Sequence, residues 1–309
     1  MTRDARPSLI FPPRLKPGAT IGIAAISGPV AEERLRRGND ALERRGYRVV
    51  LAGNVLARRG FLAGSDEERA GGYRELLRNP AVDAIFFARG GYGASRILDR
   101  LSPEEIASRP VIHLGGSDLT ALFAFLLARA RLASFYGPMP AAAMAEEEGL
   151  DWEPVLAGAC PAPHVFAAGD VLAGGVGEGP LVGGCLSLLA SLAGTPEAID
   201  GRGAVLFWED VSEEAYRLDR MLTQLERSGT FDGLQAMVIG SISPGARGGG
   251  ESPEAVAAWL EDRFAGAPFP VARGFPAGHV RRGRTLPFGV PVRLDTNRAV
   301  LEFLGPGVE

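Results

Sequence analysis

The chain has 309 residues, 46% of them hydrophobic and 23% charged, with a formal net charge of -4. That length allows about two domains at roughly 100–200 residues each, and the composition excludes a disordered or fibrous chain. The weakly acidic balance argues against nucleic acid as the main partner, no apolar run approaches the ~20 residues a membrane span needs, and the N-terminus lacks a secretory signal, so the chain reads as cytoplasmic. TIGIAAIS (Thr20 to Ser27) reads as a buried strand. A polar-faced helix follows from about Ala31, with Gly46 as its C′ residue. Tyr47 to Ala52 is the next strand. Ser65, with Glu68 three residues on, forms a capping box that opens a second helix. Ala81 to Arg89 is a strand leading through GGYGASRILDRL into a helix. RPVIHLGGSD gives a further strand and turn before the helix LTALFAFLLARA. This alternation predicts an α/β domain over residues 1–150, a mostly parallel sheet flanked by helices. Residues 151–179, rich in Gly, Pro and Ala, read as a linker. Residues 180–309 read as a smaller β-rich, barrel-like domain, with strands GAVLFWED, AMVIGSIS, FPVARGF, VPVRLD and AVLEFL. It carries a helix from Glu251 to Ala265, with Ser252 as N-cap and Pro253 at N1. GARGGG (245–250) reads as a loop.

Few residue types are left for chemistry. Of 33 basic residues one is a lysine, Lys16, beside Pro17. That removes a Walker P-loop and leaves a poor candidate for a Schiff base. Cys160 and Cys185 form no CxxC, and His113, His164 and His279 form no HExxH. No metal or other cofactor is therefore expected.

Ser117 in GGSDLT follows an apolar strand and opens a helix. Two glycines permit a sharp turn, and free N–H groups at the helix start can stabilise an oxyanion. This is the logic of a nucleophile elbow, although G-x-S-x-G is absent. The competing reading is that Ser117 or Asp118 only caps the helix. A serine nucleophile needs a base. His113 lies inside an apolar strand and His164 in the linker, so His279, in the loop FPAGHVRRGRTLP, is the better candidate. Arg281, Arg282 and Arg284 are expected to lower its pKa by like-charge repulsion. VLFWED ends a strand with Glu209 and Asp210, either a carboxylate that orients a histidine or an exposed acidic turn. ARGGYGASR (Ala88 to Arg96) lacks dinucleotide spacing, but its N–H groups can face an anion, and Gly91 can meet Ser117 at the sheet edge.

Taken in order, RLKPGATIGIAAISGPV, FLAGSDEERAGGYRELLRNPAVDAIFFARGGYGASRIL, GGSDLTAL, YGPM, LVGGCLSLLASLAGTP, FWEDVSEEAYRLDRMLTQL and GHVRRGRTLPFG resemble the LD-carboxypeptidase family of serine peptidases. Each motif is weak alone; the ordered set is specific. The resemblance implies a Ser117–His279–Glu209 triad, with Gly91 and Asp118 N–H groups as the oxyanion hole. It implies an N-terminal α/β domain, a C-terminal β-barrel domain and the triad across the cleft. It also implies release of terminal D-alanine from murein tetrapeptides, a cytoplasmic step of cell-wall recycling, by a homodimer. Arg89 is the arginine assigned to a substrate carboxylate. Three positions depart from the family pattern: Gly116, where an aromatic residue is usual, Phe123, where histidine is frequent, and Cys185, where asparagine is common. Two other readings compete. One is a peptidase resembling the microcin C self-immunity proteins, which cleave peptide–nucleotide conjugates. The other is a non-catalytic ligand-binding protein, which requires Ser117 and His279 to lie far apart.

Overall fold

The computed structural model describes residues 8–145, 150–244 and 252–309. The GARGGG segment lies outside the described residues. In the first half, five short apolar stretches form β1 (Thr20–Ala24), β2 (Arg48–Leu51), β3 (Ala84–Phe87), β4 (Ile112–Gly115) and β5 (Ser134–Tyr136). They lie parallel in the order β2-β1-β3-β4-β5. Strands β1, β3 and β4 are buried at every position. Covered on both faces, they read as continuous apolar runs without alternation. The connecting helices are α1 (Glu32–Glu43), α2 (Asp66–Arg78), α3 (Pro103–Ser108) and α4 (Thr120–Phe125). The capping box of α2 is formed: Ser65 Oγ accepts from Glu68 N–H, and the Glu68 carboxylate accepts from Ser65 N–H. After α4 the chain makes one π-helical turn, Leu126–Ala130.

Residues 151–179 carry α5 (Trp152–Leu156), β6 (His164–Val165), β7 (Val171–Ala173) and the start of β8 (Val176–Cys185). The remaining strands are β9 (Val205–Glu213), β10 (Ala236–Pro244), β11 (Val271–Ala272), β12 (Leu286–Phe288), β13 (Pro291–Asp295) and β14 (Val300–Phe303). The remaining helices are α6 (Leu186–Leu192), α7 (Ala215–Arg227) and α8 (Pro253–Phe264). Ser252 caps α8 at Ala255 N–H and Pro253 occupies its first turn, as the sequence predicts. The second sheet has eight strands, β6-β14-β13-β8-β9-β10-β11-β7. Strand β8 changes partner along its length. Residues 176–180 pair antiparallel with β13, and residues 181–185 pair parallel with β9. The sheet therefore curls into a half-barrel, with β8, β9, β10 and β11 as a parallel centre.

Strand β12 does not join that sheet. It pairs antiparallel with β5, Leu286 opposite Tyr136 and Phe288 opposite Ser134, so the second half completes the first sheet. One core cluster consequently runs through both halves and includes Phe123, Tyr136, Phe207 and Phe288. Among the described residues no helix is long and apolar enough to cross a membrane.

Candidate active site

Ser117 follows β4 at the carboxyl edge of the first sheet, where open α/β sheets gather their ligands. Its φ of 59° is left-handed, a conformation that costs a residue with a Cβ about 1–3 kcal/mol. This is the geometry of a nucleophile elbow, produced without G-x-S-x-G. Ser117 Oγ caps no helix among the described residues. Asp118 turns away, its Oδ2 accepting the Ala94 N–H at 2.8 Å. That bond ties the GGYG loop to the elbow. The approach is close: a Cβ on Gly90 would lie 2.7 Å from Ser117 Cβ. The N–H groups of Gly91 and Asp118 donate to no described residue.

Glu209 is fully buried near the middle of β9. Its Oε2 accepts two hydrogen bonds from His279, one from the backbone N–H at 3.0 Å and one at Nδ1, 2.8 Å away. A carboxylate can only accept, so Nδ1 carries the proton and Nε2 the lone pair. Gly278 makes this possible, because a Cβ there would collide with Glu209 Oε2. Asp210, one residue on, faces the other way; it accepts from Ser187 N–H in α6 and from Val211 N–H. The two carboxylates of VLFWED are thus separated by the strand's alternation.

A residue without a distinctive sequence signal joins these parts. The buried Tyr136 hydroxyl accepts the Ser117 N–H at 2.8 Å and donates to Glu209 Oε1 at 2.6 Å. Ser117, Tyr136 and His279 all line one cavity of about 500 Å³. Among the described residues no hydrogen bond joins Ser117 Oγ to His279. Burial works against a charged His279, but the hydrogen bond and charge of Glu209, with the charge of Asp210, outweigh it, and the pKa rises above 6.5. This corrects the expected depression by Arg281, Arg282 and Arg284: the nearby carboxylates dominate. The other histidines serve packing. His113 Nε2 meets the Tyr73 hydroxyl and Nδ1 the Val111 carbonyl, and burial pushes its pKa down to about 4. His164 lies edge-on to Phe166 and Phe275.

The sequence matches the LD-carboxypeptidase N-terminal domain over residues 21–137 and the LD-carboxypeptidase C-terminal domain over residues 178–294. A probable murein peptide carboxypeptidase of Bacillus subtilis is 34% identical over 312 residues, spanning 96% of this chain and 95% of that protein. The chain belongs to the LD-carboxypeptidase family. Its fold is also that of the muramoyltetrapeptide carboxypeptidase from Oxalobacter formigenes, with TM-score 0.80, 31% identity, and coverage of 92% of this chain and 98% of that one. A microcin C7 self-immunity protein solved with adenosine monophosphate superposes with TM-score 0.86 at 25% identity, covering 97% of this chain and all, 100%, of that one.

The three departures from the LD-carboxypeptidase pattern surround Tyr136 and Glu209. A Cβ on Gly116 would stand 3.5 Å from Tyr136 Cζ, and Gly116 lines the cavity. Phe123 meets the Tyr136 ring edge-on at 6.4 Å. Cys185 pairs with Glu209 across β8 and β9, and its N–H donates to Thr120 Oγ1. Only Gly116 of the three opens onto the cavity. Arg89 is exposed, donates to the Pro29 carbonyl, and lies outside the cavity lining. The arginines of that lining are Arg34, Arg281 and Arg284. Arg34 carries no local motif, and only the fold brings α1 beside Ser117.

Proposed function

We propose that this protein is a serine LD-carboxypeptidase that releases terminal D-alanine from murein tetrapeptides. The observation that carries the reading is the placement of Ser117, on a left-handed elbow, in one cavity with a His279 whose Nδ1 is held by Glu209. Ser117 Oγ attacks the carbonyl before D-alanine while His279 Nε2 takes its proton. The oxyanion receives the N–H groups of Asp118 and Gly91. The Ser117 N–H is spent on Tyr136. The C–N bond then breaks, His279 returns the proton to the leaving amine, and water, deprotonated by His279, cleaves the acyl-enzyme. His279 closes on Ser117 when substrate fills the cavity, since catalytic hydrogen bonds tighten in the complex.

Substrate chemistry favours the same site. Three arginines and His279 line the cavity, and none of its described lining residues is acidic. A carboxypeptidase must bind a free carboxylate, which guanidinium groups hold well. Arg281, two residues from His279, is better placed for that than Arg89. The setting is cytoplasmic and homodimeric, as the family resemblance implies, and the unbridged Cys160 and Cys185 accord with a reducing compartment. The placement of Ser117 and His279 in one cavity lining runs against a non-catalytic binding protein.

The test is D-alanine release from a murein tetrapeptide by wild type and Ser117→Ala. Wild type is expected to release it, and the variant to lose about 10³-fold or more. A folded wild type that releases none, yet cleaves a peptide–nucleotide conjugate, would replace this reading with the self-immunity one.

A further inference from the structure

We propose that Tyr136 is a positioning residue that locks the nucleophile to the catalytic carboxylate and sets the basicity of His279; this rests on the Ser117–His279–Glu209 reading above. The phenol has one proton and two polar neighbours. The Ser117 N–H can only donate, so at that contact the Tyr136 oxygen accepts. Its proton is therefore directed at Glu209 Oε1, which must accept. Glu209 thus receives the Tyr136 O–H on Oε1 and two N–H groups of His279 on Oε2. The pattern admits one direction for every bond: it keeps Glu209 as the acceptor, His279 protonated at Nδ1, and the lone pair on Nε2.

The bridge has two consequences. It clamps the strained backbone of Ser117, from the first half of the chain, to a side chain of β9 in the second. It also engages part of the negative charge of Glu209 at Oε1, so that less of it is directed at His279 on Oε2. His279 shares that carboxylate, so Tyr136 tempers the imidazole from two bonds away. Burial and the charge of Glu209 push the phenol far above its ordinary range, so it remains a donor across the working pH. The ring is fixed independently, against Phe123, Phe207 and Phe288. Phenylalanine at this position keeps those contacts and deletes only the hydroxyl.

The experiment follows the His279 imidazole by NMR as pH is varied, its signal assigned by loss in His279→Asn. Wild type, Tyr136→Phe and a protein with 3-fluorotyrosine at position 136 are compared. Tyr136→Phe is expected to protonate His279 at higher pH than wild type. The fluorinated phenol, a stronger donor of nearly the same shape, is expected to shift it to lower pH. Where tetrapeptide is hydrolysed, the acid limb of kcat/KM moves with the imidazole, and kcat of Tyr136→Phe falls about 10- to 100-fold with a smaller change in KM. An unmoved His279 titration in folded variants, or a shift of the same sign in both, overturns the proposal, even if activity falls. If Tyr136→Phe does not fold, the fluorinated protein decides alone. A wild type inactive on tetrapeptide refutes the substrate reading and leaves the imidazole titration to judge Tyr136.

Discussion

His279 carries the pH dependence expected of this site. Burial opposes its charged form, while the hydrogen bond to Glu209 and the charges of Glu209 and Asp210 favour it more strongly, so the folded pKa lies above 6.5. Catalysis needs the neutral imidazole, and activity should therefore fade as pH drops through that raised value. The contribution to stability has the opposite sense: it is complete below the unfolded pKa of about 6.5 and is lost as pH rises through the folded one. A kcat/KM profile with its acid limb centred above 6.5 is the expected result; a midpoint below 6.5 would show that the carboxylates do not govern His279. Sequence neighbours mislead here, because Arg281, Arg282 and Arg284 flank the histidine along the chain while the two carboxylates reach it across a strand. Ser117 was legible because it follows an apolar strand at a turn, whereas Glu209, read as a strand end, sits mid-strand in β9, which runs on to Glu213. Tyr136 was not legible. Its partners are 19 residues away at Ser117 and 73 away at Glu209, and nothing in YGPM distinguishes a bridging phenol from a core aromatic.

At the level of elements, the nucleophile is a product of two adjacent parallel strands ending side by side. β3 delivers the GGYG loop and β4 the elbow, and Asp118 bonds the two together through Ala94 N–H. The packing leaves no room for a Cβ on Gly90, which would stand 2.7 Å from Ser117 Cβ and 3.0 Å from its Oγ. Ser117 cannot yield freely, since its own N–H is held by Tyr136. Gly90→Ala should consequently lower kcat by about 100-fold through a displaced nucleophile and lower stability by about 1–3 kcal/mol through overpacking. Steady-state kinetics and a urea melt measure both, and a variant with wild-type kcat would mean that the loop is not in contact with the elbow. The capped helices α2 and α8 could be read from sequence because Ser65, Glu68, Ser252 and Pro253 act within four residues of themselves. The edge strands of the second sheet could not. Strands β6 and β7 have two and three residues, too few for a period to show, and their register is dictated by partners far along the chain.

Across the whole molecule, the site exists because the two halves share a sheet and a core. The return of β12 to pair with β5 brings Phe288 against Tyr136 at 5.6 Å, Phe123 at 6.3 Å and Phe207 at 6.4 Å. Phe123 and Tyr136 belong to the nucleophile side, and Phe207 to the strand that carries Glu209. Phe288 is fully buried, so truncating it removes packing that no single half can restore. Phe288→Ala should cost about 3–5 kcal/mol. Because the lost ring backs the Tyr136 phenol, kcat should also fall, although Phe288 does not line the cavity. Unfolding should remain one cooperative transition in both proteins, as expected when a core is continuous across the two halves. Calorimetry of wild type and variant reads this directly. Two resolved transitions in the wild type would mean that each half is stable alone, and that the cleft is a docking of finished domains. A single transition at lower temperature, with activity lost in parallel, would mean that the β5–β12 seam assembles the fold and the triad together.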